Sequence, residues 1–430
     1  MTSLASNGKN VVWCAMEDTE KVGFRTRLSE GFTPTAPISK GELFSGRTEE
    51  KTRLRDALFQ LGQHLLIYGE RGVGKTSLAN LLYDSLRSLE KWSYQVVRFN
   101  CSAGSNFVFI WQGVFRELSF LNEIRQRGIT EDLVTTGRIK IPFPEDGGAE
   151  DVRFLLQQLG SPAIIVIDEF DRVKGQETST LLADTIKSLS DHAVDATLII
   201  VGVADSIDEL IAEHASIERA LVQIKVPRMR EVELAEIVQK GFQHAKMSID
   251  EDATQQISVL SRGLPHNAHE LGMFAGHAAL DAGRLIATKE DVESAIRRSL
   301  KSAQQTIVSS YLQAISSSHK NIYKQILLAA ALSPTDELGY FYAGDLRGPL
   351  MRIAKKRYGI DGYMRHLKHF CSAEHGNVLE KKGERRKFRF RFRDPILEPY
   401  IIMRGIDEKL INEDDVKRLK SEPTERFLIL

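Results

Sequence analysis

The segment GERGVGKTS, residues 69–77, constrains this chain more than any other feature. It fits the pattern G-x-x-x-x-G-K-[ST], follows the apolar run 64–68 and opens the helical pattern 78–89. Glycines in such a loop let successive backbone N–H groups turn toward phosphate oxygens, and the following helix adds partial positive charge at its N-terminus. The motif and its context therefore predict a nucleotide phosphate site. The residues predicted to form it are Gly69, Gly72, Val73, Gly74, Lys75, Thr76 and Ser77.

A second motif, IIVIDEFD at 164–171, supplies the acidic groups that such a site needs. Asp168 ends an apolar strand, where its carboxylate and the Thr76 hydroxyl are expected to hold Mg²⁺. Lys75 is expected to contact the β- and γ-phosphates, and Glu169 to act as general base on the attacking water. The two motifs together predict catalysis by Lys75, Asp168 and Glu169 with ATP and Mg²⁺ as cofactors.

The order of apolar and helical patterns predicts the domain organisation. Strands alternate with helices from 44 to 227, which predicts an α/β fold with a parallel sheet covered by helices on both faces. After residue 227 the sequence first shows only helical periods. Farther along, helices are followed by a basic hairpin, which is the order of elements in a winged helix-turn-helix. The predicted domains are an irregular leader 1–42, a P-loop ATPase domain 43–228, an all-α lid subdomain 229–302, a winged-helix domain 303–406 and a charged tail 407–430.

Composition excludes several classes of protein. The 430 residues include three scattered cysteines, too few for a disulfide framework, so a reducing cytosol and a cytoplasmic location are expected. No apolar run approaches the roughly 18 residues of a membrane span, and no membrane partner is expected. The net charge is zero, yet residues 351–405 hold 15 Lys and Arg against 6 Asp and Glu, a local excess of +9. Such an excess indicates either a solvated surface or a surface that binds the phosphate backbone of a nucleic acid.

Taken together, these motifs resemble the AAA+ ATPases, in particular the origin-recognition and initiator branch and the related STAND NTPases. The resemblance covers about residues 43–300, and a winged helix extends it to about 405. The motifs that carry it are FSGR at 44–47, GERGVGKTS, IIVIDEFD, LIIVGVAD at 198–205 and SIERALVQIKVPRM at 216–229. The resemblance implies an AAA+ fold. It also implies that the box FSGR, which includes Gly46 and Arg47, packs on adenine; the alternative for this segment is a plain turn before a helix.

The resemblance also implies residues that sense the γ-phosphate. Asp205 stands where the family usually has Asn or Thr, and an ionised carboxylate cannot donate a hydrogen bond. His266 stands where the family has an arginine, and Arg262 is an alternative for that role. Arg219 matches the arginine finger, which reaches the nucleotide of a neighbouring subunit, with Arg228 and Arg230 as reserves; an ordinary salt-bridged arginine is the other interpretation.

The C-terminal region is covered less specifically. In a winged helix, residues 361–370 would form the recognition helix and the basic turn 381–387 the wing. Side chains of this kind contact phosphates and position a protein on DNA without giving sequence choice. The alternative is a packing module that holds the ATPase inactive. The residues predicted to contact DNA are Arg365, Lys368, Lys382, Arg385, Arg386 and Lys387.

Three functions remain open on the sequence. The first is an AAA+ switch that hydrolyses ATP slowly, forms homo-oligomers through shared ATP sites and binds double-stranded DNA through its winged helix. The second is a STAND-like signalling or anti-phage defence ATPase, whose nucleotide state gates assembly with a separate effector protein without direct DNA binding. The third, prompted by Asp205 and His266, is a sensor that binds nucleotide and barely hydrolyses it.

Overall fold

A computed structural model describes residues 18–34, 44–58, 60–87, 94–126, 133–173, 175–203, 217–316, 322–383 and 388–421. Within these ranges no helix is both long and apolar enough to cross a membrane. The ATPase part contains β1 (His64–Gly69), β2 (Gln95–Asn100), a β3–β4 hairpin (Phe120–Gln126 and Leu133–Ile139), β5 (Ala163–Asp168), β6 (Ala196–Val203) and β7 (Leu221–Lys225). Its helices are α2 (Thr48–Leu58), α3 (Lys75–Arg87), α4 (Phe107–Glu117), α5 (Ala149–Gln157) and α6 (Gln176–Asp191), which follow the N-terminal α1 (Asp18–Gly31).

The central sheet is parallel and has five strands in the order β2-β5-β6-β1-β7. The predicted α/β fold with a parallel sheet is therefore confirmed. Alternate residues of β1 enter different cores: Leu66 joins the side chains of α4, α5 and α6, whereas Leu65 and Ile67 join those of α2 and α3. Because side chains alternate across a strand, this division places helices on both faces of the sheet.

The N-terminal region corrects a prediction. Residues 1–42 were expected to be an irregular leader, but α1 is helical and packs on the lid, with Leu28 and Phe32 fully buried. Phe32 fills a slot opened by two glycines: a Cβ on Gly241 would lie 2.3 Å from the Phe32 ring, and one on Gly272 would lie 2.6 Å away. The apolar residues of this segment show no sustained period, so only its contacts with the lid explain the helix.

The lid is helical, as its helical periods predicted, and it has four helices. They are α7 (Glu231–His244), α8 (Glu251–Leu260), α9 (Pro265–Asp281) and α10 (Lys289–Ser302), joined by the short parallel pair β8 (Ser248–Ile249) and β9 (Ile286–Ala287). Buried residues of the lid and of the C-terminal region form one continuous hydrophobic cluster. The two regions are therefore packed together as a unit.

The C-terminal region contains helices followed by a small antiparallel sheet, which is the element order predicted for a winged helix. The elements are α11 (Gln305–Ile315), α12 (Tyr323–Leu332), β10 (Phe341–Tyr342), α13 (Arg347–Ala354), α14 (Ile360–His369), β11 (Leu379–Lys382), β12 (Arg389–Phe392), α15 (Leu397–Asp407) and α16 (Glu413–Ser421). The sheet order is β10-β12-β11. The predicted charged tail 407–430 is not a separate element, because α16 packs on the rest of the chain: Val416 is buried in the shared core and Lys289 pairs with Glu413 at 2.8 Å.

Candidate functional site

The phosphate-binding loop joins β1 to α3 in the conformation that its glycines permit. Gly72 and Gly74 have φ of +82° and +96°, in the left-handed region where other residues are strained. Lys75 is the first residue of α3, so the free backbone N–H groups of that helix lie at the loop. The local structure is therefore the anion cradle that the motif predicted.

Lys75 lies against the backbone of its own loop. Its Nζ donates to the carbonyl oxygens of Gly69 and Glu70 at 3.2 and 2.9 Å. Burial lowers the pKa of the Lys75 ammonium to about 8, although the nearby carboxylates of Asp171 and Asp168 oppose this shift. An incoming phosphate would replace uncharged carbonyl partners with charged oxygens.

The acidic pair lies at the end of β5, next to the loop. Asp168 is buried, and its Oδ1 accepts a hydrogen bond from the backbone N–H of Glu169 at 2.7 Å. Glu169 has a φ of +56°, a left-handed conformation that is uncommon outside glycine, and its carboxylate pairs with Arg172 at 3.1 Å. Strained backbone of this kind clusters at functional sites.

These groups open into one cavity of about 600 Å³, which lies within the usual size range of ligand pockets. Of the predicted nucleotide and catalytic residues, the cavity brings together Gly72, Gly74, Lys75, Thr76, Ser77, Asp168, Glu169 and His266. The sequence did not indicate Thr33 and Pro34, which follow α1, or His269 of the lid, yet all three line the same cavity. The cavity is thus walled by the ATPase domain, the lid and the N-terminal segment.

The chemistry of the donor set fits Mg²⁺. Thr76 and Asp168 contribute a hydroxyl and a carboxylate to the cavity wall, and hard cations prefer oxygen ligands. Among the residues described, no cluster of three or more His, Cys, Asp or Glu side chains could hold a metal ion by itself. Mg²⁺ usually binds through one or two protein groups, phosphate oxygens and water.

Gly46 and Arg47 lie outside the cavity, behind the loop. Arg47 is buried, and its Nη2 donates to the Val73 carbonyl at 2.9 Å while its backbone N–H donates to Glu233 of α7 at 3.0 Å. This box therefore supports the phosphate-binding loop and ties it to the lid. Its predicted contact with adenine stays a prediction.

The sensor residues have different placements. His266 lies in the cavity wall, and its Nδ1 is 2.6 Å from the Pro34 carbonyl oxygen. Arg262 was considered as an alternative to His266, but it lies buried in a salt bridge with Glu398 at 2.5 Å and donates to the Ser333 carbonyl. Arg262 therefore does not face the phosphate site. The predicted sensor Asp205 lies outside the described residues.

Arg219 is exposed immediately before β7, at the amino end of the parallel sheet. The phosphate-binding loop lies at the carboxyl end, so Arg219 is on the opposite edge from the nucleotide site of its own chain. Its role as a trans-acting finger stays a prediction. Of the two reserves, Arg228 does not fit that role, because its side chain is only 10% exposed and is paired with Glu70 and Glu398 within the chain.

Four buried charges join the phosphate-binding loop to the C-terminal region. Arg228 donates to Glu70 of the loop at 2.6 and 2.9 Å and lies 2.8 Å from Glu398 of α15, which also pairs with Arg262 of the lid. Burial by itself would lower the pKa of Arg228, but the carboxylates of Glu398 and Glu70 outweigh it and raise that pKa. No sequence pattern predicts this network, because its members lie far apart along the chain.

The predicted DNA-contacting residues are only partly described. Arg365 and Lys368 are exposed on α14, and Lys382 is exposed at the end of β11. Arg385, Arg386 and Lys387 lie outside the described residues. Two other arginines of the basic segment are paired within the chain: Arg389 with Asp336 at 3.3 Å, and Arg391 with Glu380 at 2.6 Å. Part of the local positive charge is thus offset internally.

Comparison with known proteins matches part of the chain to one family. Residues 60–211 match the sequence model of the AAA domain family. Comparison with curated proteins gave no significant match. The fold is similar to Cdc6p from Pyrobaculum aerophilum, with 17% identity over 89% of this chain and 99% of that chain and a TM-score of 0.44.

Two further solved structures are similar at the same level. The Orc1 protein of Aeropyrum pernix, in complex with DNA, has 15% identity over 90% of this chain and 98% of that chain, with a TM-score of 0.47. The Walker-type ATPase PABY2304 of Pyrococcus abyssi has 16% identity over 85% and 98%, with a TM-score of 0.49. At these identities and scores, the similarities carry no conclusion about activity.

Proposed function

We propose that this protein is a Mg²⁺-dependent ATPase that works as a nucleotide-driven switch, since residues 60–211 match the model of the AAA domain family. The observation that carries the proposal is the cavity in which Lys75 and Thr76, at the start of α3, face Asp168 and Glu169, at the end of β5. This arrangement combines an anion cradle, oxygen ligands and a carboxylate able to accept a proton. Adenine recognition and the ATP preference rest on the family resemblance.

In the proposed mechanism, the N-terminus of α3 and the Lys75 ammonium hold the β- and γ-phosphates. Thr76 and Asp168 would hold Mg²⁺, which neutralises charge that develops on the phosphates. Glu169 leaves its pair with Arg172, orients a water molecule and accepts its proton. His266 in the cavity wall supplies a weaker phosphate contact than the family's arginine, so slow hydrolysis is expected.

The position of Arg219 supports assembly into homo-oligomers. An exposed arginine at the amino edge of the sheet cannot reach the phosphate site of its own chain, but it can be presented to a neighbouring copy. Such an arginine stabilises the transition state from outside the subunit that binds ATP. ATP would then bridge subunits, and hydrolysis would release them.

We also propose that this switch acts on double-stranded DNA. Arg365 and Lys368 are exposed on α14, and Lys382 is exposed at the end of β11, so both elements offer basic side chains to a partner. Basic side chains of this kind bind the phosphate backbone with a strong dependence on salt. The three cysteines and the motifs agree with a cytoplasmic setting for this role.

A second function is favoured by the buried network. Glu70 and Glu398 share the Arg228 guanidinium, which fastens the C-terminal region to the phosphate-binding loop. Arg389 and Arg391, moreover, are neutralised within the chain. In this alternative, the C-terminal region is a packing module, and nucleotide state gates assembly with an effector protein without DNA.

The experiment that tests the proposal combines binding, turnover and mass. ATP binding should be lost in Lys75→Ala, whereas Glu169→Gln should bind ATP and lose turnover by about a hundredfold or more. Light scattering of the wild type with ADP and with a non-hydrolysable ATP analogue, each with and without duplex DNA, should show assembly that depends on ATP and grows with DNA. Assembly indifferent to DNA would support the second function, and the absence of nucleotide binding would exclude both.

A further inference from the structure

Arg98 is the only charged side chain of β2, and it reaches across to the neighbouring strand. Its Nη2 donates to Oδ2 of Asp168 at 2.6 Å, and the Arg98 side chain is only 20% exposed. Its Nη1 donates to Oδ1 of Asn80 on α3. Asn80 follows Thr76 by four residues, which is one turn of the same helix. The guanidinium is thus held between the two elements that carry the predicted Mg²⁺ ligands.

With this contact, both carboxylate oxygens of Asp168 accept a hydrogen bond. Oδ1 of Asp168 accepts the backbone N–H of Glu169, and Oδ2 accepts Arg98. The buried Nε of Arg98 has no hydrogen-bond partner, so the guanidinium makes its hydrogen bonds here through its two terminal nitrogens. A carboxylate that already binds a guanidinium has lost most of its attraction for a second cation.

We propose that Arg98 is a built-in competitor of Mg²⁺ for Asp168. In the nucleotide-free protein it neutralises this buried carboxylate, and it must release Oδ2 when Mg²⁺ enters with the nucleotide. Arg98 therefore raises the Mg²⁺ concentration that the site requires. This inference rests on the proposed function, because it concerns the same nucleotide site.

Competition and positioning make opposite predictions, which allows a sharp test. If Arg98 competes, its removal should strengthen Mg²⁺ binding, since Asp168 regains its charge for the metal. If Arg98 instead positions Asp168 as a ligand, its removal should leave Mg²⁺ binding unchanged or weaken it. The deciding quantity is the half-saturating Mg²⁺ concentration for tight nucleotide binding, which requires no turnover.

The experiment measures the binding of a fluorescent ADP analogue to the full chain while Mg²⁺ is titrated from an EDTA baseline. In Arg98→Met, the half-saturating Mg²⁺ concentration should fall about tenfold, as expected when one nearby positive charge that competes with Mg²⁺ is removed. The matched control is Arg153→Met on α5, because Arg153 also pairs with a carboxylate in this domain, Glu150 at 2.8 Å. The control should match the wild type.

A second variant keeps the test valid if Arg98→Met does not fold. Asn80→Ala removes one anchor of the guanidinium but retains both charges, so the half-saturating Mg²⁺ concentration should fall by about threefold. An unchanged or higher value in folded Arg98→Met, or in Asn80→Ala if the former does not fold, overturns the inference. Failure of the wild type to bind the ADP analogue at any Mg²⁺ concentration would instead overturn the proposed function.

Discussion

Arg228 donates two parallel hydrogen bonds to Glu70, from Nε to Oε2 at 2.6 Å and from Nη2 to Oε1 at 2.9 Å. Glu70 belongs to the phosphate-binding loop, and the same guanidinium lies 2.8 Å from Glu398 of α15. A bidentate arginine–carboxylate pair of this kind fixes the relative orientation of the two side chains as well as pairing their charges. The loop that is proposed to hold phosphate and the docking of the C-terminal region therefore depend on one buried cation.

The first prediction concerns Glu398, which is 1% exposed and paired with Arg228 and Arg262. Its two arginine partners hold its pKa below the usual range, against the effect of burial. Glu398→Gln should lower the free energy of unfolding by about 3–5 kcal/mol, because it leaves a buried positive charge without compensation. Urea unfolding would measure this loss.

Exposed Glu374, on the same C-terminal region, supplies the control, and Glu374→Gln should leave the free energy of unfolding unchanged within about 0.5 kcal/mol. The double variant Arg262→Met/Glu398→Met should be less destabilised than the sum of its two single variants, since it removes a complete pair. Equal stability of Glu398→Gln and the wild type would show that the network contributes nothing to the fold.

The second prediction follows from the pKa of Lys75, which burial lowers to about 8. Below pH 8 the free protein already carries the ammonium that phosphate binds. Above pH 8 the free protein must take up a proton to bind ATP, so affinity should fall by up to about tenfold per pH unit. Fluorescence titrations from pH 6.5 to 9.5 would show this slope.

Lys75→Arg provides the comparison, because arginine stays charged throughout this range. Whatever its affinity, that variant should bind with little dependence on pH. A wild type whose affinity is constant up to pH 9.5 would mean that Lys75 keeps its proton in the free protein.

The third prediction places Arg219 in the active site of a neighbouring copy. Arg219→Ala should bind ATP normally and lose turnover by about a thousandfold, as expected for a missing arginine finger. Mixing it with Glu169→Gln subunits should restore part of the activity, since some interfaces then combine an intact base with an intact arginine. Steady-state phosphate release measures both effects.

Exposed Arg230, beyond β7, is the other reserve for the finger, so its variant tests whether Arg219 is the residue that fills this role. Arg230→Ala should keep normal turnover, and its mixture with Glu169→Gln should show no more than additive activity. Normal turnover in Arg219→Ala would remove this residue from the mechanism.

The fourth prediction concerns the exposed basic side chains of α14. Arg365→Glu/Lys368→Glu should weaken the binding of generic duplex DNA at 50 mM salt by about a hundredfold and flatten its salt dependence. The double variant Arg55→Glu/Lys187→Glu changes the same charge on exposed positions of the ATPase domain and should bind DNA like the wild type. If neither the wild type nor the variants bind DNA at low salt, the packing-module function is favoured.

The phosphate-binding loop, the acidic strand and the parallel sheet could be predicted because each is encoded in a few consecutive residues. The network of Glu70, Arg228 and Glu398 could not, since its members are 158 or more residues apart and only the folded chain brings them together. Arg98 lies between these cases. A charge in the otherwise uncharged strand QVVRFN was visible in the sequence, but its partner Asp168 depends on which strand lies beside it.

The packing of Phe32 between Gly241 and Gly272 makes α1 a rigid extension of the lid. Whenever the lid changes its angle to the ATPase domain, this helix has to travel with it. Val22 is 62% exposed on α1 and lies on the far side of that attachment from the cavity residues Thr33 and Pro34. The distance between a dye on α1 and a dye on the exposed surface of the ATPase domain would therefore report the closing of the nucleotide cavity.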